Sequence, residues 1–312
     1  MMKLGMTVLD KNLNVMVLAR NEEKYISKCL NSIKFQTLSP SKVIVVDDDS
    51  TDGTPEILSR YKKLKNFEVV RFRRREGDTS HNYARVLRFA SKHLDDDCEY
   101  IGIVDADTVL EKRYYEKLLP RLEEHREWGM TGGMLYGEDI SPRFYGLPCY
   151  VYGANRIYTR ECWYELNGGS KVLRDLVFGI DTYHYLQAFL LGYRPTVQLD
   201  VKSWSMRPRP LTRERLFSRG FISWKLGYYP WYMILRVIRN KAPSMMAGYL
   251  KGWLSGEEMW ATKDYIRETQ LTRIKAILGI PTSETRKLEE IVLLMKDAIL
   301  QSQRFRKKVF MR

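Results

Sequence analysis

Val43-Ile44-Val45-Val46-Asp47-Asp48-Asp49-Ser50-Thr51-Asp52-Gly53-Thr54 passes from four β-branched residues directly into a run of acids and short polar side chains. An apolar run with no polar alternation fits a strand covered by helices on both faces, as in a parallel sheet. The short polar residues suit a tight turn, and Thr51, Asp52 and Pro55 are start signals for a following helix. The same unit recurs on either side. Val15 to Ala19, Phe67 to Arg71 and Tyr100 to Val104 are further strands, and Glu22 to Lys34, Thr54 to Lys63 and Tyr83 to His93 read as the helical crossovers. Strands alternating with helices predict a doubly wound, mostly parallel α/β sheet.

Ligands of such sheets sit outside the carboxyl ends of the strands. Those ends read Ala19-Arg20-Asn21-Glu22, Asp47-Asp48-Asp49-Ser50, Arg71 to Arg75 and Asp105-Ala106-Asp107, so acids and bases are expected on one rim. Asp105 and Asp107 are one residue apart, which places both side chains on the same side unless the chain turns. Two carboxylates that close stay ionised most readily beside a cation, and hard oxygen ligands suit Mg²⁺ or Mn²⁺. A D-x-D pair alone is a weak signal, equally met in solvated acidic turns. Asp47 and Asp48 can accept a nucleobase N–H, whereas Asp52 reads as a cap.

Further along, Tyr114 to His125 is helical, Gly129 to Gly153 has no assignable period, and a helix follows from about Asp181 to Gly192. Thr196 to Val201 is a strand and Lys202 to Pro210 a basic loop. Residues 1–210 form the expected catalytic domain. Residues 211–312, which carry Trp224, Trp231, Trp253 and Trp260, form a helical, aromatic and basic region that packs on that domain or on a membrane surface.

With 312 residues, 44% of them hydrophobic, the chain can bury a core, which excludes a disordered protein. Cys29, Cys98, Cys149 and Cys162 show no paired spacing, which favours an intracellular, cytoplasmic setting. No run reaches the roughly 18 apolar residues of a membrane span. The formal charge of +14 points to an anionic partner: nucleic acid, a phospholipid surface or a phosphorylated substrate. No nucleic-acid recognition motif accompanies it, so no specific nucleic-acid partner is expected.

The chain resembles family 2 glycosyltransferases with the GT-A (nucleotide-diphospho-sugar transferase) fold. The matching segments are Val17 to Glu22, Val45 to Thr54, Val104 to Asp107, Asn167-Gly168-Gly169, and Gly179-Ile180-Asp181 followed by Gly192-Tyr193-Arg194, in the family's order. The resemblance covers about residues 12 to 210 and implies an inverting hexosyltransferase using a UDP or GDP sugar. It makes Asp48 the contact to the donor base, with Asp47, Ala19, Arg20, Asn21 and Glu22 nearby. It puts Asp105 and Ala106 at the donor and Asp107 on the metal. Asp181 falls at the catalytic base, in a motif that usually reads Glu-Asp; its alternative reading is a helix start. Asn82 resembles one variant of a further donor segment. Arg207, with Arg209, either closes over the diphosphate or belongs to a basic rim.

Arg73 to Arg75 and His184 remain secondary candidates, the latter equally a packing residue. The acceptor would be a glycan or a lipid-linked molecule, including the phosphate acceptor of a polyprenyl-phosphate sugar synthase. A nucleotidyltransferase, from a different class, would release pyrophosphate rather than a nucleoside diphosphate.

Overall fold

The first strand, β1 (Leu13–Ala19), is buried along its length except for half-buried Leu18. A computed structural model describes residues 12–74, 83–137, 151–173, 180–207 and 212–256, with Glu258, Met259, Lys263, Arg267, Gln270 and Leu271. The chain divides into two units, residues 1–208 and 209–312.

In the first unit β1 lies between β2 (Lys42–Asp48) and β4 (Tyr100–Asp105), parallel to both, so that Val17 faces Val45 on one side and Val104 on the other. β3 (Phe67–Phe72) extends the parallel set beyond β2. Although the centres of β1, β2 and β4 are continuously apolar, alternate residues separate into two cores. Leu13, Val15, Val17, Val43 and Val45 pack with α1 (Ile26–Lys34), α2 (Thr54–Tyr61) and α4 (Tyr114–Glu124). Met16, Ile44 and Val46 pack on the other face with α3 (Tyr83–Ser91), α5 (Arg160–Leu166) and α6 (Ile180–Leu190). The period of two thus survives inside a continuous apolar run, and the doubly wound sheet is as expected.

The sheet order is β3-β2-β1-β4-β7-β6-β8-β5, with β5 (Thr108–Leu110), β6 (Met130–Tyr136), β7 (Asn155–Thr159) and β8 (Thr196–Ser205) completing it. β7 is antiparallel to both β4 and β6. The stretch without assignable period therefore contains a strand. Its pattern is broken by Gly132 and Gly133, where a Cβ would stand 3.0 Å from the Asn155 carbonyl oxygen and 2.8 Å from that of Val201. β8 also corrects the sequence reading, since it runs through Ser205 where a loop from Lys202 was expected. Val201, Ser203 and Ser205 point inward, and β5 pairs antiparallel with the last residues. α1 likewise starts at Ile26 rather than Glu22, because Glu22 is drawn into the rim described below.

The second unit contains α7 (Arg213–Lys225), α8 (Pro230–Asn240) and α9 (Pro243–Leu254). Thr212 caps α7 by accepting the Arg215 N–H at 3.3 Å, and prolines open the other two helices. α7 and α9 touch backbone to backbone: a Cβ on Gly220 would stand 1.8 Å from the Met245 carbonyl oxygen, and one on Gly248 1.9 Å from that of Phe217. Gly220→Ala is expected to cost about 1–3 kcal/mol through overpacking, read as a lower urea midpoint. Ile234, Leu235 and Ile238 of α8 and Trp253 and Leu254 of α9 remain exposed. No described helix is long and apolar enough to cross a membrane.

Candidate active site

The loops leaving β1 and β2 are laced together by side-chain to backbone hydrogen bonds. The Asn21 N–H donates to Ser50 Oγ at 3.1 Å, and the Thr51 N–H donates to Asn21 Oδ1 at 2.9 Å. The Glu22 N–H donates to Thr54 Oγ1 at 2.8 Å, and the Gly53 N–H donates to Glu23 Oε2 at 2.9 Å. Asn21 and Asp49 take left-handed φ values of 54° and 53°, a region where Asn and Asp are tolerated best among side-chain-bearing residues. Asp52 caps the turn into α2 by accepting the Thr54 N–H at 3.0 Å.

Asp47 and Asp48 are both buried at the end of β2. Asp47 shapes the turn through Oδ1, which accepts the Ser50 N–H at 3.0 Å. Asp48 is held by Arg74 in a two-pronged pair, Nε to Oδ1 at 2.9 Å and Nη2 to Oδ2 at 2.5 Å, with each side chain 9% exposed. Arg71 bonds Asp49 at 2.9 Å. Of the described arginines following β3, Arg74 is therefore the one built into the rim. Truncating it strands a buried carboxylate, so Arg74→Ala is expected to lower stability by about 3 kcal/mol, measured by chemical denaturation.

The chain turns at Ala106 and Asp107, between the end of β4 and the start of β5, so strand alternation does not govern this acidic pair. The Met206 N–H donates to the Asp107 carbonyl oxygen at 2.8 Å, which holds the turn against the end of β8. Arg207 follows directly. Its guanidinium bonds Glu22, lies 3.5 Å from Asp107 Oδ2 and sits 5.5 Å from the Tyr25 ring centroid. Burial raises the Glu22 pKa above the ordinary carboxylate value; Arg207 opposes this, while Asp107 and Asp105 push it further up. Glu22, Asp105 and Asp107 thus feel one another's charge across the rim. Among the described residues, no group of three or more His, Cys, Asp or Glu side chains is placed to hold a metal ion. Asp107 offers one hard oxygen donor.

Asp181 lies in the first turn of α6, packed on Gly153, where an added Cβ would stand 3.0 Å from Asp181 Cβ and 3.3 Å from its Oδ2. Nearby, Arg156 of β7 is 1% exposed. Asp105, Asp181 and Arg156 all act by charge on the Tyr83 hydroxyl, which places the four charged or polar groups in one neighbourhood. His184 belongs to the core. It is fully buried, its Nδ1 is 3.0 Å from the Tyr158 hydroxyl, and burial together with Arg156 pulls its pKa far below the ordinary value, so it stays neutral.

Ala19, Arg20, Asn21, Glu22, Asp47, Asp48, Asp105, Ala106, Asp107 and Arg207 all belong to the carboxyl ends of the strands, the loops that follow them or the residues after β8, and Asp181 stands near Arg156. Asn82, Arg75, Arg209, Gly179 and Cys149 lie outside the described residues. Sequence reasoning missed Arg156, Gly153 and Tyr25. A lone basic residue inside Ala154-Asn155-Arg156-Ile157-Tyr158 is the signal that could have exposed Arg156.

A parallel first half with carboxylates at the ends of β2 and β4, and a mixed second half in which β7 runs against both its neighbours, is the layout of the GT-A fold. More specifically, the chain belongs to glycosyl transferase family 2, a family of sugar-transferring enzymes, whose profile matches residues 14–173. A putative glycosyltransferase, EpsH of Bacillus subtilis (strain 168), is 30% identical over 107 residues, 34% of this chain and 29% of its own length. The chain thus spans under a third of that relative. Among solved structures, residues 1–349 of Staphylococcus aureus TarS superpose with a TM-score of 0.52 at 21% identity, covering 68% of this chain and 64% of that one. A mannosyltransferase from Pyrobaculum calidifontis gives 0.52 at 20% identity over 93% and 86%. Both likenesses concern the fold.

Proposed function

We propose that the chain transfers a sugar from a nucleoside diphosphate donor, UDP or GDP, to an acceptor hydroxyl with inversion at the anomeric carbon. The carrying observation is the rim itself: Asp105 and Asp107 turn out of β4 beside Glu22 and Arg207, next to the laced loops of β1 and β2. TarS has been solved with UDP and with UDP-GlcNAc, and the Pyrobaculum enzyme with GDP-Man and Mn²⁺, which supports a nucleotide-sugar donor and a divalent metal here.

In this reading Asp48 keeps lone pairs for the base, although Arg74 occupies two of its sites. Ala19 to Glu22 border the nucleoside and Asp105 and Ala106 the ribose or sugar. Arg207 leaves Glu22 to meet the diphosphate, a short move for a side chain already at the rim. The donor set fits Mg²⁺ or Mn²⁺, because mutually repelling carboxylates are relieved by a hard cation, with Asp107 as protein ligand and phosphate or water completing the sphere. When bound, the ion supplies electrostatic stabilisation of the leaving diphosphate. Asp181 takes the proton from the acceptor hydroxyl as its oxygen bonds to the anomeric carbon. The bond from that carbon to the diphosphate oxygen breaks, and the electron pair leaves with the nucleoside diphosphate.

The +14 charge, with exposed Ile234, Leu235 and Ile238, supports a second unit acting as an accessory region at an anionic membrane surface on the cytoplasmic side. That location favours a lipid-linked acceptor over a soluble glycan and keeps a polyprenyl-phosphate acceptor in view. The deciding experiment incubates the protein with UDP and GDP sugars, with Mn²⁺, Mg²⁺ or chelator, and measures donor binding and nucleoside diphosphate release. Metal-dependent binding and release from one donor is expected. Absence of binding to every donor sinks the reading, and pyrophosphate as product assigns a nucleotidyltransferase.

A further inference from the structure

Arg156 is the most unusual side chain of the first unit. It is 1% exposed, and neither Nε nor either Nη has a hydrogen-bond acceptor among the described residues. A guanidinium carries five N–H donors in a rigid fork, and leaving them buried without acceptors is costly. What surrounds it answers its charge but not its N–H donors. Its Cζ lies 5.6 Å from the Tyr158 ring centroid, a cation–π contact, and the carboxylates of Asp105 and Asp181 act on it by charge without bonding to it. His184, packed on the same face of the sheet, is neutral and adds no counter-charge.

The register tells which part of the site the fork serves. Arg156 pairs with Ile103 on the neighbouring strand, two residues before Asp105, and its electrostatic neighbours are Asp105 and Asp181. In the function proposed above these flank the sugar and the acceptor. Arg207, beside Asp107, serves the diphosphate end instead. Asp105 and Asp181 answer its charge without meeting its N–H fork, so the fork is set against a negative group arriving with substrate.

We propose that Arg156 is the partner of an acidic group, carboxylate or phosphate, borne by the saccharide that this enzyme transfers or extends. The inference rests on the transferase reading and deepens it by naming a substrate class. A carboxylate or phosphate satisfies the fork through two parallel N–H···O bonds, which a neutral hydroxyl does not match.

The test uses the full chain with Mn²⁺ and calorimetric titration. One arm compares UDP-glucuronate with UDP-glucose, and GDP-mannuronate with GDP-mannose. The other loads the protein with UDP or GDP and compares inorganic phosphate and glucuronate with glucose. Each is run on the wild type and on Arg156→Met. Expected is a preference of about tenfold or more for the acidic probe in one arm, abolished in Arg156→Met, as befits a charge-assisted hydrogen bond. The donor arm then assigns the acid to the transferred sugar and the second arm to the acceptor.

No acidic preference in either arm, or a preference kept in Arg156→Met, overturns the assignment. Should Arg156→Met fail to fold, Arg156→Lys decides: loss of most of the preference supports the fork, and an undiminished preference overturns it. Failure of the wild type to bind any nucleotide overturns the transferase reading and this one with it. Nucleotide binding without acidic preference overturns this one alone.

Discussion

Asp181→Asn is expected to lower kcat by about 10²–10⁴-fold while the KM for the donor sugar changes little. The substitution is nearly isosteric, so the packing of residue 181 on Gly153 is preserved and the helix start keeps a polar group in its first turn. What it removes is the ability to take a proton from the acceptor oxygen as that oxygen bonds to carbon. The limb of the pH–rate profile that depends on an ionised base is expected to disappear with it. A kcat within a factor of about three of the wild type overturns the base assignment and favours an acceptor already ionised, such as a lipid phosphate, for which base catalysis contributes little.

Asp107→Ala is expected to abolish metal-dependent transfer, by about 10³-fold or more in kcat, together with metal-dependent donor binding. The fold should survive, since Arg207 keeps Glu22 and the Met206 N–H bonds the backbone rather than the side chain of residue 107. Transfer that persists in this variant, or in the wild type with chelator, removes metal assistance from the mechanism. A linked effect concerns stability. Because the folded-state pKa of Glu22 lies above its ordinary 4.5, its contribution is fully present below that value and is lost as pH rises through the folded pKa. Asp107→Ala removes one of the charges that raise it, so the ligand-free variant should lose less stability over that pH window than the wild type.

The first half of the fold is legible because its information is local. β1, β2 and β4 are compact apolar runs, and α1 and α2 begin soon after the strands that precede them. β6 and β7 are less legible because the sheet reverses direction there, and the reason for Gly132 and Gly133 lies in residues 155 and 201. The true length of β8 depends on pairing with β5, nearly a hundred residues earlier in the chain. The acids of the site are visible as strand-end residues. Their basic partners are not, since an arginine after a strand ordinarily looks solvated, and Arg74 and Arg156 take their meaning from what they meet in space.

The lacing of the β1 and β2 loops carries a thermodynamic consequence. Asn21, Glu22, Thr51 and Thr54 surrender their backbone freedom when the protein folds, at about 1–2 kcal/mol per residue, and not when a ligand arrives. In the proposed function, nucleoside recognition at this end of the rim would therefore be docking into a preorganised mould, with affinity governed by complementarity rather than by loop ordering.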